Sequence, residues 1–204
     1  MHSAELPFEL EPNGKADWEY NDTKKELTVF APAHTDIYIN PAGHNSGDAE
    51  SLMNAGTLLG TPPAGDFQLS AKITVDFQSQ FDAGVLMIWI DEFHWVKFCF
   101  EYSPASAPMV VSVVTIDYSD DSNSFTVDNN SIWYRISRRD NVYALHAARD
   151  GKLWELIRVF TLGPLTNSHK IGFAAQSPTG DGCSILFSEI NFAQARLQDL
   201  RDGS

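Results

Sequence analysis

Long apolar runs are missing from this sequence of 204 residues. No stretch approaches the roughly 20 consecutive apolar residues that a membrane-spanning helix needs. Residues 1–18 have neither the basic start nor the apolar centre of a secretory signal peptide. We therefore expect a cytoplasmic protein that does not associate with a membrane.

Positive charge is also scarce. There are 14 lysines and arginines against 27 aspartates and glutamates, which gives a formal net charge of −13 at pH 7. A surface with this excess of negative charge repels phosphate backbones and anionic lipid headgroups. The charge balance therefore argues against nucleic acid or a membrane surface as a partner.

The sequence lacks the short motifs that usually hold cofactors. It has no glycine-rich phosphate loop and no Gly-x-Ser-x-Gly turn, and its six histidines show no metal-ligand spacing. The acidic run SDDSN (119–123) offers oxygen atoms that suit Ca²⁺, but its spacing matches no calcium loop, and acidic residues are common in turns. We predict no cofactor and no metal, with calcium at this run as the open alternative.

Cysteine is rare. Cys99 and Cys183 both lie within apolar, strand-like segments. Two cysteines do not form a disulfide framework, and isolated buried cysteines usually behave as small apolar residues. We predict two free thiols in a reducing compartment.

Short strand-like runs separated by turn residues dominate the chain. Two-residue connections such as 91–92 and 140–141 are typical of antiparallel hairpins, whereas residues 43–56 read as a polar loop. We predict one all-β domain over residues 1–204, an antiparallel β-sandwich with a polar N-terminal arm and a helix-like tail at 193–202. The predicted strands are 27–32, 36–40, 66–77, 82–91, 93–102, 109–118, 132–139, 142–149, 154–161, 170–176 and 184–192.

Alternation along these strands predicts two kinds of face, because successive side chains of a strand point to opposite sides. The apolar face is expected to lie between the two sheets. The other face of several strands mixes charged, amide, imidazole and indole groups, which is expected if one sheet has a groove on its outer side. The residues predicted between the sheets are Val96, Phe98, Phe100, Ile136, Phe173 and Phe187.

Several segments, in order, resemble a known family. They include TDIYINP (35–41), GDFQLSAKITV (65–75), DAGVLMIWIDEFHWVKFCFEY (82–102), SVVTIDYSDDSN (112–123), YRISRR (134–139), ARDGKLWELIR (148–158) and AQSPTGDG (175–182). This arrangement resembles the concanavalin A-like family associated with regulation of enolase, which is otherwise a domain of unknown function. The resemblance runs roughly from Trp18 to Phe192 and departs at ARDG, where a serine commonly precedes the turn. It implies a lectin/glucanase-type jelly roll, and a shared fold does not fix activity.

Lys97 and Glu101 place opposite charges within the apolar strand 93–102. They lie about 13 Å apart along the strand, so each is expected to pair with a residue of a neighbouring strand. Arg135 is the natural partner for Glu101, because a guanidinium group can bind a carboxylate through two hydrogen bonds. A purely structural salt-bridge network on the sheet is the alternative to a site. The predicted ligand-binding residues are Trp95, Lys97, Glu101, Ser112, Arg135, His146 and Gln176.

Three classes of function fit this pattern. The leading hypothesis is a non-catalytic domain whose groove binds a carbohydrate or a similar small polar ligand; in such a groove Lys97 would contribute little to folding. The second is a regulatory module that binds a protein partner, as the family association implies. The third is a carbohydrate-active enzyme, but the strand 93–102 carries one carboxylate where a hydrolase needs two, and a net charge of −13 suits a lyase acting on polyanions poorly.

Overall fold

The computed structural model describes residues 1, 5–43, 50–163 and 169–204. These residues form sixteen strands and no helix, and so no helix that could span a membrane is found among them. The strands are β1 (Glu11–Asn13), β2 (Asp17–Asn21), β3 (Glu26–Pro32), β4 (Ile37–Tyr38), β5 (Leu52–Met53), β6 (Gly56–Gly60), β7 (Phe67–Asp76), β8 (Ala83–Asp91), β9 (His94–Tyr102), β10 (Pro108–Ile116), β11 (Tyr118–Thr126), β12 (Ser131–Arg139), β13 (Val142–Ala148), β14 (Glu155–Phe160), β15 (Lys170–Gln176) and β16 (Gly182–Ala193).

Two seven-stranded sheets form the sandwich. Sheet 1 has the order β1-β6-β15-β8-β9-β10-β11, and sheet 2 has the order β14-β13-β12-β7-β16-β3-β2. Every pairing within both sheets is antiparallel. The predicted all-β antiparallel sandwich is confirmed.

The core lies between the sheets and contains all six residues predicted there. At its centre the rings of Phe98 and Tyr134 stack with their centroids 3.7 Å apart. The Tyr134 hydroxyl donates a hydrogen bond of 2.8 Å to the carbonyl oxygen of Cys99, which joins β12 of sheet 2 to β9 of sheet 1. Alternation therefore identified the inner face of both sheets correctly.

The edge strands β1 and β11 were missed because they do not bury a continuous apolar face. The edge strand β1 is fully exposed, and β11 pairs with β10 alone and is mostly exposed, so its acidic residues remain in water. β2 was also missed. The predicted loop at 43–56 contains β5 and the start of β6, whereas its residues 44–49 lie outside the described residues.

The helix-like tail is not helical. After β16 the chain continues in turns and irregular structure that cross the outer face of sheet 2. Leu197 and Leu200 of this tail are buried against Ala144 of β13. The apolar residues of the tail thus pack on a sheet, and this packing decides its conformation over the weak helix preference of its composition.

The two cysteines lie in different apolar clusters. Cys183 is buried between the sheets, whereas Cys99 is buried on the outer side of sheet 1. Both are free thiols in the structure, as predicted. Burial raises the pKa of each thiol, so neither is a ready nucleophile.

A short ribbon of β4 and β5 covers part of the outer face of sheet 1. Its Ile37 is buried in a cluster with Trp95 and Leu59 of that sheet. The chain after β4 is tied to β11, because the amide of Ile39 donates to the Ser119 hydroxyl at 2.9 Å and the carbonyl of Ile39 accepts from the Ser119 amide at 2.9 Å. The ribbon therefore forms a local third layer, and open depressions remain on both sides of it.

Candidate binding groove on the outer face of sheet 1

One of these depressions, here called the groove, has a volume of about 670 Å³. Its floor comes from the outward side chains of β9, β10 and β11. One wall is the ribbon, and the other is the loop before β8 together with the turn after β15. The lining residues are Asp36, Tyr38, Glu50, Leu52, Phe81, Lys97, Glu101, Ser103, Pro104, Met109, Val111, Val113, Asp121, Asn123, Gln176, Pro178 and Thr179.

Lys97 is buried beneath the groove, with 3% of its surface exposed. Its Nζ donates to Asp36 Oδ1 at 2.6 Å and to Gln176 Oε1 at 2.9 Å. The Gln176 amide nitrogen donates in turn to the carbonyl oxygen of Phe81 at 3.2 Å. Burial alone lowers the pKa of Lys97, but the attraction of the surrounding negative groups, Asp36 first, outweighs it and raises the pKa. Lys97 is therefore a buried and compensated charge beneath the groove, which makes a contribution to folding more plausible on physical grounds than the sequence alone indicated.

Glu101 lies at the surface of the groove and is partly exposed. Burial of its carboxyl raises the pKa most, Lys97 lowers it, and Asp36 and Asp121 raise it again, so that the pKa reaches about 8. The pKa of Asp121 is raised as well, chiefly by burial. At neutral pH Glu101 therefore carries its proton and can both donate and accept a hydrogen bond.

Replacing Glu101 by glutamine is expected to flatten the dependence of stability on pH. In the wild type, the unfolded carboxyl ionises near pH 4.5 while the folded one stays protonated to about pH 8. Its contribution is therefore complete below pH 4.5 and is lost as the pH rises to 8. Urea unfolding at pH 5 and pH 8 measures this; the exposed Glu19→Gln is the control. If Glu101→Gln lost the same amount of stability at pH 5 and at pH 8, the carboxyl of the folded protein would be ionised at both pH values and the prediction would be wrong.

Two predicted site residues of sheet 1 do not line the groove. Trp95 is on the same face as Lys97 but is fully buried under the ribbon, and its indole nitrogen donates to the Glu92 carbonyl at 3.3 Å. Ser112 is paired with the core residue Phe98, and the core residues Val110 and Val114 lie two positions before and after it, so alternation directs it between the sheets. Neither side chain is therefore on the surface that a ligand in the groove would contact.

Arg135 and His146 belong to sheet 2, on the opposite side of the molecule from the groove. The Arg135 guanidinium donates to the Gly203 carbonyl at 2.8 Å and lies 4.5 Å from the centroid of the Trp154 ring. His146 Nε2 is 2.9 Å from the carbonyl oxygen of Leu200. Both residues hold the C-terminal tail. The predicted contact between Arg135 and Glu101 is therefore wrong, because β12 pairs with β7 and β13 and never approaches Glu101 across a sheet.

Of the seven predicted residues, the structure brings together Lys97, Glu101 and Gln176. The partner that the prediction missed is Asp36, which lies just before β4 and carries the counter-charge of Lys97. A signal was available, because this aspartate begins the DIYINP segment quoted above. Asp121 and Asn123 were missed as groove residues because the acidic run was read as a turn rather than as strand β11.

The acidic run does not assemble a metal site. Asp120 pairs with Arg158 of β14 at 2.8 Å, and Asp121 points into the groove. Among the residues that the structure describes, no group of three or more His, Cys, Asp or Glu side chains is placed to hold a metal ion.

Comparison with known proteins adds a family to this geometry. The model of a family described as "Protein of unknown function (DUF1349)" matches residues 13–195. The chain belongs to this family. The match includes every groove residue and ends within the first residues of the tail.

Individual relatives agree with this assignment. The chain is 28% identical over 150 residues to "Regulation of enolase protein 1" of Saccharomyces cerevisiae, which is 73% of this chain and 75% of that protein. A functionally unknown protein of Saccharomyces cerevisiae has a crystal structure with a TM-score of 0.78 and 21% identity, over 93% of this chain and 97% of that one. The likeness to the crystal structure concerns the fold, and neither name states a ligand.

The same sandwich occurs as part of larger proteins. The GH43 protein BlXynB of Bacillus licheniformis matches with a TM-score of 0.67 and 9% identity over 87% of this chain, but over only 34% of its own. This likeness concerns the fold alone, because this chain corresponds to about a third of that protein.

Proposed function

We propose that this protein is a non-catalytic binding domain whose groove takes a neutral polar ligand of the carbohydrate class. The observation that carries the proposal is the groove itself. Its volume of about 670 Å³ lies within the range of roughly 300–1,000 Å³ that is typical of small-molecule sites. Two of its polar groups, Asp36 and Gln176, are held in place by hydrogen bonds from the buried Lys97.

The exposed groups of the groove match a ligand with many hydroxyls. Protonated Glu101 donates and accepts, Asn123 offers both an amide donor and an acceptor, and Asp121 accepts. Met109 and Pro104 add apolar surface beside these groups. A sugar ring presents the same alternation of hydroxyl groups and C–H surface, so it would satisfy both kinds of wall.

The charges of the lining residues determine which ligand charge the groove can accept. Lys97 is the one lysine or arginine among the described lining residues, and Asp36 already neutralises it. Glu50 and Asp121 remain as further acidic groups. An anionic ligand would therefore be repelled, which favours a neutral sugar over a uronate.

The backbone positions of the acids favour binding over hydrolysis. Met109 of β10 pairs with Glu101, and Val113 pairs with Asp121, so the Cα atoms of the two acids are offset by four residues, or about 13 Å, along β10 and lie two strands apart. A glycosidase directs two carboxyl groups, about 5 to 9.5 Å apart, at one bond, so both side chains would have to lean toward each other here. Asp36, the other acid near Glu101, is occupied by Lys97.

A regulatory role through protein contacts is the second candidate. It is favoured by the name of the yeast relative, which refers to regulation of enolase. In that case the groove would bind a peptide segment instead of a glycan. Titration with purified enolase in the calorimeter, beside the glycan experiments below, separates the two candidates.

Glycan-array screening followed by titration calorimetry tests the leading proposal. We expect a neutral glycan to bind, and Glu101→Ala and Asn123→Ala to weaken it about fivefold to tenfold each through the loss of a hydrogen bond. Glu101→Gln should stay within about threefold of the wild type, because glutamine keeps a donor and an acceptor. Asn130→Ala, on the outer face of sheet 2, is the matched control for the asparagine. Absence of any glycan ligand, or binding that all three groove variants leave unchanged, would contradict the proposal.

A further inference from the structure

A second depression lies on the outer face of sheet 1, on the other side of the ribbon from the groove. It has a volume of about 530 Å³, and none of the described residues that line it also lines the groove. Ile37 and Met53 of the ribbon face it, whereas Tyr38 and Leu52 of the same ribbon face the groove. The lining residues of this Trp89 depression are Glu11, Pro12, Asn13, Ile37, Met53, Ala55, Thr57, Leu59, Trp89, Ile90 and Lys170.

Trp89 is the aromatic residue among the described residues that line this depression. It pairs across the sheet with Trp95 on one side and with Lys170 on the other. It packs against the buried cluster that contains Trp95, yet Trp89 itself stays partly exposed. Within the described residues its indole N–H donates no hydrogen bond, in contrast to that of Trp95. The side chain thus offers accessible ring surface and a free donor.

Polar groups surround the ring on two strands. Asn13 and Thr57 are opposite each other in the pairing of β1 with β6, and both point into the depression. At the rim, Lys170 and Glu11 form an exposed ion pair of 3.1 Å, which leaves this part of the surface without net charge. An aromatic face with amide, hydroxyl and indole donors beside it is the combination that fits one sugar ring, whose C–H face stacks while its hydroxyls are hydrogen-bonded.

From this arrangement we propose that the Trp89 depression is a second binding site, for a neutral sugar ring, separate from the groove. The site is independent of the proposed function of the groove, because the ribbon lies between the two and no described residue lines both. A ligand of the size of a monosaccharide gains little binding energy, so we expect dissociation constants of the order of 1–10 mM.

Indole N–H resonances in a ¹H–¹⁵N NMR spectrum test this site directly in the wild-type protein. The probes are the methyl glycosides of glucose, galactose, mannose and xylose, each added to about 50 mM, and Trp89→Phe assigns the signal of Trp89. We expect at least one probe to shift that signal in a saturable way while the signal of the buried Trp95 moves little. If none of the four probes shifts the Trp89 signal saturably, the proposal is wrong.

Two variants then separate stacking from packing. Trp89→Ala should weaken binding of the same probe by tenfold or more, whereas Trp89→Phe, which keeps an aromatic face, should weaken it less. Asn13→Ala, on an exposed strand, keeps the fold and should weaken binding about threefold to fivefold. Trp133→Ala on the outer face of sheet 2 is the matched control and should bind as the wild type does. The proposal would be overturned if Trp133→Ala weakened probe binding as much as Trp89→Ala does. It would also be overturned if neither Trp89→Phe nor Asn13→Ala changed probe binding.

Discussion

Replacing Asp36 by asparagine is expected to lower the free energy of unfolding by about 3 kcal/mol. The side chain of Lys97 is 4% exposed, and its ammonium group depends on Asp36 for charge compensation. Asparagine keeps the shape and an acceptor oxygen for the amide of Ile37, which bonds to Asp36 Oδ1 at 2.7 Å, so the change removes little besides the charge. Chemical denaturation at pH 7 measures the loss, and the melting temperature should fall by roughly 6–12 °C.

The same substitution on an exposed ion pair is the matched control. Asp120→Asn removes the charge opposite Arg158 in a pair whose aspartate is 69% exposed, and it should cost less than about 1 kcal/mol. The double variant Asp36→Asn/Lys97→Met should recover part of the loss, because the uncompensated ammonium group is then gone. A cost for Asp36→Asn as small as that for Asp120→Asn would show that Lys97 is solvated and that the groove is not preorganised.

Acid is expected to destabilise the protein between pH 6.5 and 4, chiefly through His146 and His169. Burial first, and then the positive charge of Arg135 on His146 and of Arg138 on His169, lower the pKa of each histidine to about 4. The stabilisation is complete above the unfolded value of 6.5 and is lost as the pH falls through the folded value. Each shift is equivalent to at most roughly 3 kcal/mol when complete. Urea unfolding of the Glu101→Gln variant from pH 7 to pH 4 should show the decline, because in the wild type Glu101 adds stability over part of this range.

Variants and exchange measurements locate this effect. His146→Gln keeps a donor for the Leu200 carbonyl, and His169→Phe keeps a ring stacked on Phe67. In the double variant the free energy of unfolding should therefore decline less between pH 6.5 and pH 4. His34→Gln, at an exposed histidine, should keep the wild-type slope. Because His146 holds the tail, amides near Leu200 should exchange faster with solvent as the pH approaches 4, after correction for intrinsic rates. If the double variant lost stability at acid pH as steeply as the wild type does, groups other than these two histidines would cause the decline.

Much of the fold could be predicted because apolar and polar residues alternate along individual strands. The strand 93–102 separates Val96, Phe98 and Phe100 from Lys97 and Glu101 by parity alone, and the structure places the first group between the sheets and the second on the outer face. The same reasoning failed where a strand needs no apolar face. β11 is an edge strand, so its acidic residues keep their water, and nothing in its pattern distinguishes it from a turn.

The composition of the candidate site could be predicted only in part. Lys97 and Gln176 were grouped by the kind of face they occupy, and they do meet. Arg135 and His146 have the same kind of face, but on the other sheet, where they bind the tail instead. Alternation predicts that a side chain points away from the core, but it does not predict to which sheet the strand belongs. The sheet depends on which strands pair with each other.

The sequence by itself therefore determined the strand periodicity, the inner faces and the family, since these depend on neighbouring residues or on the order of segments along the chain. The tertiary structure alone decided that β12 pairs with β7 and β13 in sheet 2 and not with β9, that Asp36 neutralises Lys97 and that the ribbon divides the outer face of sheet 1. The physical reason is that these contacts join residues far apart in the chain. Lys97 and Asp36 are 61 positions apart, and only the closed sandwich brings them within 2.6 Å.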